Sequence, residues 1–290
     1  MIFRTRFAPS PTGPLHLGHA YSALLAFDMA RAAGGQFLLR IEDIDATRSK
    51  PQWEEQIYDD LRWLGVTWDA PPMRQSERSD SYQAALDRLW SMGLLYPCTC
   101  TRRDIDAALS APQEGVEVGY GPDGPIYPGT CRSLSDRLGP RPTGVLRLDL
   151  RAALTHLMPQ TVTFTETGVG PNGETGTRAY TDHLRTLGDI VLSRKDFLGS
   201  YHLSVVLDDA AQAITHVVRG RDLFDATQIH VILQRLLDLP TPIYHHHRLI
   251  RDAHGKRLAK RDDARAIAKY REDGASAQEI RAMTGLPSAT

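Results

Sequence analysis

Arg6-Phe7-Ala8-Pro9-Ser10-Pro11-Thr12-Gly13-Pro14-Leu15-His16-Leu17-Gly18-His19 is the stretch whose reading decides the fold of this chain. Residues 2–8 read as a short strand, and Pro11, Gly13 and Pro14 end it and let a helix begin sharply. The spacing of Leu17, Ala20, Leu24, Phe27 and Met29 predicts that helix, with one face buried. His16 and His19 lie three apart at its start, so they share a face. Exposed amides at a helix N-terminus favour phosphate, and imidazole donors there suit phosphate oxygens that gain charge during displacement. The same spacing also suits a zinc pair or two solvated histidines, so the pair alone does not decide.

Outward from this stretch, Phe37-Leu38-Leu39-Arg40-Ile41 reads as a second strand, ending in the acidic run Glu42-Asp43-Ile44-Asp45. Helical patterns follow at 51–64 and 79–92. Strand and helix in alternation predict an α/β fold with a parallel, Rossmann-like sheet. Residues 97–178 break the rhythm. They hold all three cysteines and a Pro/Gly-rich stretch at 115–129, and 145–150 and 162–164 alternate like antiparallel strands. The expectation is an inserted α+β subdomain. Parallel α/β character resumes with 189–192 and 202–207, then a strand at 215–219, an amphipathic helix at 222–237 and a strand at 244–250. The last strand delivers Gly255-Lys256-Arg257-Leu258-Ala259-Lys260-Arg261. Short helices at 263–272 and 276–284 form a tail. The expected plan is a catalytic domain from 1–96 and 179–262, an insertion at 97–178 and a tail at 263–290.

The basic loop follows a strand end, where ligands bind in α/β sheets. Ammonium and guanidinium groups there suit an α-phosphate and a departing pyrophosphate, although a solvated basic loop is the commoner fate of such a run. Among 290 residues, 34 basic side chains face 35 acidic ones, which excludes a chain coated in positive charge. Any nucleic-acid footprint must be local. Arg248, Arg251, Arg265, Lys269 and Arg271 extend the basic loop and make it the candidate. Three cysteines do not suggest a secreted disulfide scaffold. The N-terminus lacks a signal-peptide pattern, and the apolar stretch from Ala20 to Ala33 is interrupted by Asp28 and Arg31. The expectation is a cytoplasmic, monomeric enzyme with no membrane partner.

His16-Leu17-Gly18-His19 resembles the HIGH motif of class I aminoacyl-tRNA synthetases, and Arg257-Leu258-Ala259-Lys260-Arg261 resembles their KMSKS loop. Ala259 departs from the usual Ser and removes a hydroxyl, whereas Arg257 keeps the charge of the first Lys. Within the class, residues 6–13 and 39–45 are similar to the glutamyl branch. The resemblance runs from about residue 4 to residue 262. It implies catalysis by His16, His19 and Lys260, with Gly18, Arg257 and Leu258 also at ATP, and Mg²⁺ shielding the phosphates. It implies L-glutamate as substrate, held by Arg6, Ala8, Ser10, Glu42, Tyr201 and Arg219.

Local chemistry agrees with that substrate. Glutamate carries two carboxylates and one ammonium, so its site needs two cations and one anion. Arg6 and Arg219 suit the carboxylates, Glu42 the ammonium, and Ser10 and Tyr201 offer hydroxyls. Which arginine meets which carboxylate stays open. A bland alternative pairs Arg6 with Glu42 on adjacent strand ends and leaves Tyr201 capping a core.

Cys98, Cys100 and Cys131 offer three thiols to a zinc ion that prefers four tetrahedral ligands. Spacing does not give the fourth, and three reduced buried thiols are the alternative. The resemblance implies Tyr127 as the fourth ligand and one structural Zn²⁺. His245-His246-His247 alternate on a strand and read as strand residues near the nucleotide loop, with metal binding the minority option.

Thirty residues follow Lys260, where full glutamyl enzymes continue into an anticodon-binding region. The resemblance is therefore to their truncated paralogues, the glutamyl-Q tRNA(Asp) synthetases. That implies ATP-dependent activation of glutamate and transfer to queuosine in the anticodon of tRNA(Asp). The competing expectations are a minimal glutamyl-tRNA synthetase that charges the tRNA 3′ end, another HxGH enzyme that makes a small-molecule adenylate, and a non-catalytic zinc-containing RNA-binding paralogue.

Overall fold

The protein is described by a computed structural model that covers residues 2–110, 119–133, 137, 139–159, 161–195, 197, 199–251 and 265–287. In chain order the first half comprises β1 (Arg4–Phe7), α1 (Leu17–Ala32), β2 (Gln36–Ile41), α2 (Pro51–Trp63), β3 (Met73–Arg74), α3 (Ser79–Ser91) and β4 (Leu95–Pro97). There follow α4 (Arg102–Ser110), β5 (Tyr120–Gly121), β6 (Gly124–Pro125), β7 (Leu146–Leu148), α5 (Leu150–Leu157), β8 (Val162–Glu166), β9 (Gly176–Tyr180) and α6 (His183–Thr186). The second half of the chain adds β10 (Val191–Ser193), α7 (Tyr201–Ala211), β11 (His216–Gly220), α8 (Thr227–Leu236), β12 (Ile243–His247), α9 (Ile267–Glu272) and α10 (Ala277–Met283).

β1, β2 and β3 form a parallel sheet, and β11, β12 and β8 form a second parallel run that β9 closes antiparallel. The two sheets meet where the Thr215 amide donates to the Arg4 carbonyl at 2.9 Å and the Arg4 amide donates to Thr215 Oγ1 at 2.8 Å. From β1 the chain winds to β2 on one side; from β11 it winds to β12 on the other. This reversal makes a crevice beyond the carboxyl ends of β1 and β11, the place where open α/β sheets bind ligands.

Three expectations are corrected. Residues 202–207 are not a strand but part of α7. Leu203, Val206, Leu207 and Ala210 follow the i, i+3, i+4, i+7 period, and the Ser200 hydroxyl caps the helix by accepting from the Leu203 amide. Residues 191–193 pair antiparallel with β7 rather than parallel. Residues 162–164, expected as an antiparallel strand of the insertion, do pair antiparallel with β9, but their strand β8 also pairs parallel with β12 and so extends the sheet that carries Arg219.

Leu15, Leu24, Phe37 and Ile57 build one core around α1, and Ile267 and Ile280 of the tail helices join it. The tail is tied to the site's own helix: the Ile267 amide donates to the Leu15 carbonyl at 2.8 Å, His16 and Ala266 form an antiparallel bridge, and Arg281 pairs with Asp28. A second core runs from the insertion through α7 and α8. Among the described residues no helix is long and apolar enough to cross a membrane.

Candidate active site

A cavity of about 380 Å³ fills the crevice. His16 is the N-cap of α1: its Nδ1 accepts from the Gly18 amide at 3.1 Å, while its own amide donates to His19 Nδ1 at 3.2 Å. The two rings stack at 3.8 Å. Because both Nδ1 atoms accept, each neutral ring carries its proton on Nε2. The motif therefore caps its helix and supplies two imidazole donors to the cavity wall at once. A Cβ at Gly18 would lie 3.0 Å from the His16 ring, so a larger residue there would push that ring aside.

Arg6, Ala8, Glu42, Tyr201 and Arg219 line the same cavity as His16, Gly18 and His19. Ser10 does not. It lines a neighbouring cavity of about 850 Å³, which shares Glu42 and Tyr201 with the first. Arg6 does not pair with Glu42. Its Nε and Nη2 donate to both carboxylate oxygens of Asp209, at 2.8 and 3.2 Å. Arg40, wholly buried, bridges Asp209 at 2.6 Å and Glu42 at 3.1 Å. Burial pushes the Asp209 carboxyl up, but Arg6 and Arg40 outweigh it and hold it below the usual range. At Glu42 burial wins over the pull of Arg40 and Arg6, and its carboxyl is raised.

Arg219 is held differently. Its Nε donates to His246 Nε2 at 3.0 Å, its Nη1 to His230 Nδ1 at 3.0 Å, and its Nη2 to Leu223 O at 3.0 Å and Thr227 Oγ1 at 2.7 Å. Four of its five N–H donors are thus committed among the described residues, leaving one on Nη1 for a ligand. Both imidazoles are neutral: burial pushes His246 down to about 4 and His230 well below its ordinary value. His246 passes its Nδ1 proton toward Glu166 Oε2 at 2.5 Å. Arg6 meets the cavity with its charge already matched by Asp209, whereas Arg219 is held by neutral groups and keeps its charge for a carboxylate.

Near the second cavity, the sulfurs of Cys98, Cys100 and Cys131 all lie within 4.8 Å of one another. The Tyr127 hydroxyl is 3.5 Å from Cys98 Sγ and 3.4 Å from Cys100 Sγ. Burial raises the Cys131 thiol, but hydrogen bonds from Tyr127 and the Thr99 backbone bring it down to about 6. Arg147 Nε donates to Cys98 Sγ at 3.3 Å. Three sulfurs and one phenol oxygen converging in this way fit a tetrahedral zinc ion.

Lys260, Arg257 and Leu258 lie outside the described residues, as do Lys256 and Arg261. Much of the rest of the basic group has local work. Arg265 and Lys269 pair with Asp273, Arg271 stands over the Trp63 ring, and Arg248 donates to the Thr284 carbonyl and lines the first cavity. Within the histidine run, His246 holds Arg219 and His247 Nε2 accepts from the Ser22 hydroxyl at 2.8 Å. Sequence reasoning missed Arg40, Asp209, His230 and the Arg219-holding role of His246. The one signal was the acidic pair Asp208-Asp209 directly after the apolar run Val205-Val206-Leu207.

The profile of a family described as tRNA synthetases class I (E and Q), catalytic domain, matches residues 2–146 and 177–286. A glutamyl-Q tRNA(Asp) synthetase of Rhodobacter capsulatus is 61% identical over 289 residues, covering 97% of this chain and 99% of that protein. One from Symbiobacterium thermophilum is 42% identical over 95% of this chain and 83% of its own length. Among solved structures, a glutamate-tRNA synthetase of Elizabethkingia anophelis superposes with a TM-score of 0.73 at 26% identity. The chain covers 61% of that structure's length. The HIGH-like helix cap, the two arginines at the switch point and these similarities together place the chain in the class I tRNA synthetases for E and Q, and within them it belongs to the glutamyl-Q tRNA(Asp) synthetase family.

Proposed function

We propose that the protein activates L-glutamate with ATP and transfers it to queuosine in the anticodon of tRNA(Asp). The observation that carries this reading is the pair of adjoining cavities that share Glu42 and Tyr201. In this reading the first takes the nucleotide and glutamate, and the second, which shares a wall with it, takes the nucleoside.

In the first step a glutamate carboxylate oxygen attacks the α-phosphorus of ATP, and pyrophosphate leaves. His16 and His19 donate from Nε2 to phosphate oxygens as charge builds, and Lys260 serves the leaving pyrophosphate. Mg²⁺ accompanies ATP and shields its charge. Arg219 and Arg6 hold the carboxylates, Glu42 accepts from the ammonium, and Tyr201 and Ser10 supply hydroxyls at the shared wall. In the second step a queuosine hydroxyl attacks the activated carbonyl, the proton leaves with solvent, and AMP departs. Positioning carries much of the rate. Cys98, Cys100, Cys131 and Tyr127 would hold a zinc ion, and its role there would be structural. The expected domain plan and a cytoplasmic, monomeric state belong to the same reading.

The test is transfer of labelled glutamate, with ATP and Mg²⁺, to matched tRNA(Asp) with or without queuosine, followed by nuclease mapping. Label on the queuosine nucleoside alone is expected. Label at the 3′ end of either RNA would favour a minimal charging synthetase, and no label on any tRNA would sink both.

A further inference from the structure

Asp123 sits in the β5–β6 turn of the insertion, on the wall of the second cavity. Both of its carboxylate oxygens accept from His202 Nε2, at 2.9 and 3.0 Å. His202 is buried at the start of α7, and its Nδ1 lies 3.1 Å from His230 Nε2. The other nitrogen of His230 accepts from Arg219 Nη1 at 3.0 Å. The hairpin is seated rather than loose: a Cβ on Gly121 would come within 2.6 Å of the Thr186 carbonyl at the end of α6.

The ends of this chain fix its direction. A guanidinium only donates and a carboxylate only accepts. His230 must therefore present a bare Nδ1 to Arg219 and carry its proton on Nε2. That proton points at His202 Nδ1, so His202 carries its own proton on Nε2, toward Asp123. The Asp123 side chain is more than half exposed, and the His202 contact, with Arg147 and Arg194 nearby, outweighs its partial desolvation and holds the carboxyl below the usual range, so it stays an acceptor at neutral pH.

We propose that Asp123 is a positioning residue for Arg219, acting through the hydrogen-bonded imidazoles of His202 and His230. Without an acceptor at Asp123, the native tautomer of His202 loses one of the two hydrogen bonds that fix it, and the other tautomer comes closer in energy. The wrong one sets an N–H against the N–H of His230. Relief at that contact moves the His230 proton to Nδ1, against the N–H of Arg219, and the guanidinium loses a fixed partner beside the substrate. The insertion thereby sets the aim of a side chain on the catalytic sheet. This inference rests on Arg219 being the carboxylate-binding arginine.

The experiment is calorimetric binding of L-glutamate to the full chain, with ATP binding measured in parallel. Asp123→Ala is expected to weaken glutamate about tenfold, the weight of one charge-assisted hydrogen bond, and to leave ATP unchanged. Asp123→Asn keeps an acceptor oxygen and should stay within about threefold of the parent. Imidazole ¹⁵N spectra should show His202 protonated on Nε2 in the parent and as a tautomer mixture in Asp123→Ala. Unchanged glutamate affinity or an unchanged tautomer in Asp123→Ala would overturn the proposal, as would equal losses for glutamate and ATP. Arg219→Gln separates the two readings. If it leaves glutamate affinity intact, the reading of Arg219 fails; if it weakens glutamate while Asp123→Ala does not, only the relay fails.

Discussion

Asp209 closes on Arg6 with both carboxylate oxygens and on Arg40 with one of them, so a single buried anion from α7 sets two cations on neighbouring strands. Removing that anion leaves two guanidiniums facing each other with little water to screen them. Asp209→Asn should therefore destabilise the protein by about 3 kcal/mol. Urea denaturation followed by circular dichroism reads this directly, and a loss below about 1 kcal/mol would show that Asp209 acts as an ordinary surface partner.

Stability should fall steeply in mild acid. The His246 value drops from 6.5 to about 4 on folding, chiefly through burial. A group whose folded value is depressed binds more protons unfolded, so its contribution is complete above about 6.5 and lost as pH falls toward about 4. His230 shifts the same way. Melting temperature against pH should decline through this window, ahead of the range where ordinary carboxylates titrate. His246→Gln should flatten the decline, and an unchanged slope in that variant would refute the assignment.

His16 has two jobs that one substitution separates. Asn is a good N-cap, so His16→Asn keeps the acceptor for the Gly18 amide and loses the Nε2 donor. ATP–pyrophosphate exchange should drop by about a hundredfold, while the melting temperature and glutamate affinity stay close to those of the parent. A large thermal loss with intact exchange would make His16 a cap and nothing more.

The sulfur cluster should bind one zinc per chain by elemental analysis. Chelation should lower the melting temperature by several degrees, since a structural metal contributes its binding energy to folding. Cys131→Ser should weaken retention more than Tyr127→Phe, because thiolate is the better zinc ligand. Purified protein free of zinc that melts where the loaded protein does would refute a structural role.

The nucleotide half of the site was readable in the sequence because its signals are local. A Pro/Gly break, two histidines three apart and a helical apolar period all lie within twenty residues. Arg6 and Arg219 were readable as strand-end cations, though 213 positions separate them. Their partners were not, because those arrive from α7, α8 and β12, and no local spacing announces which buried acid or imidazole meets which arginine. The strand assigned to 202–207 compounded this. In a strand Asp208 and Asp209 would follow the element; in α7 both are buried, with Asp208 accepting from Gln75 and Tyr82 and Asp209 from Arg6 and Arg40. Glu42 lines the cavity, and the bland alternative of a pairing with Arg6 fails because Arg40, two residues away on the same strand end, holds Glu42 instead.

The bridge between His16 and Ala266 anchors the start of the tail beside the N-terminus of α1. Lys260 is six residues from that anchor, so chain length alone keeps it within roughly 20 Å of Ala266. An ammonium leashed at that radius has a local concentration that no free cation in solution matches. In the proposed function, loosening the tail's grip on α1 would dilute Lys260 at the phosphates and would also disturb His16 and Arg248, which the tail touches directly.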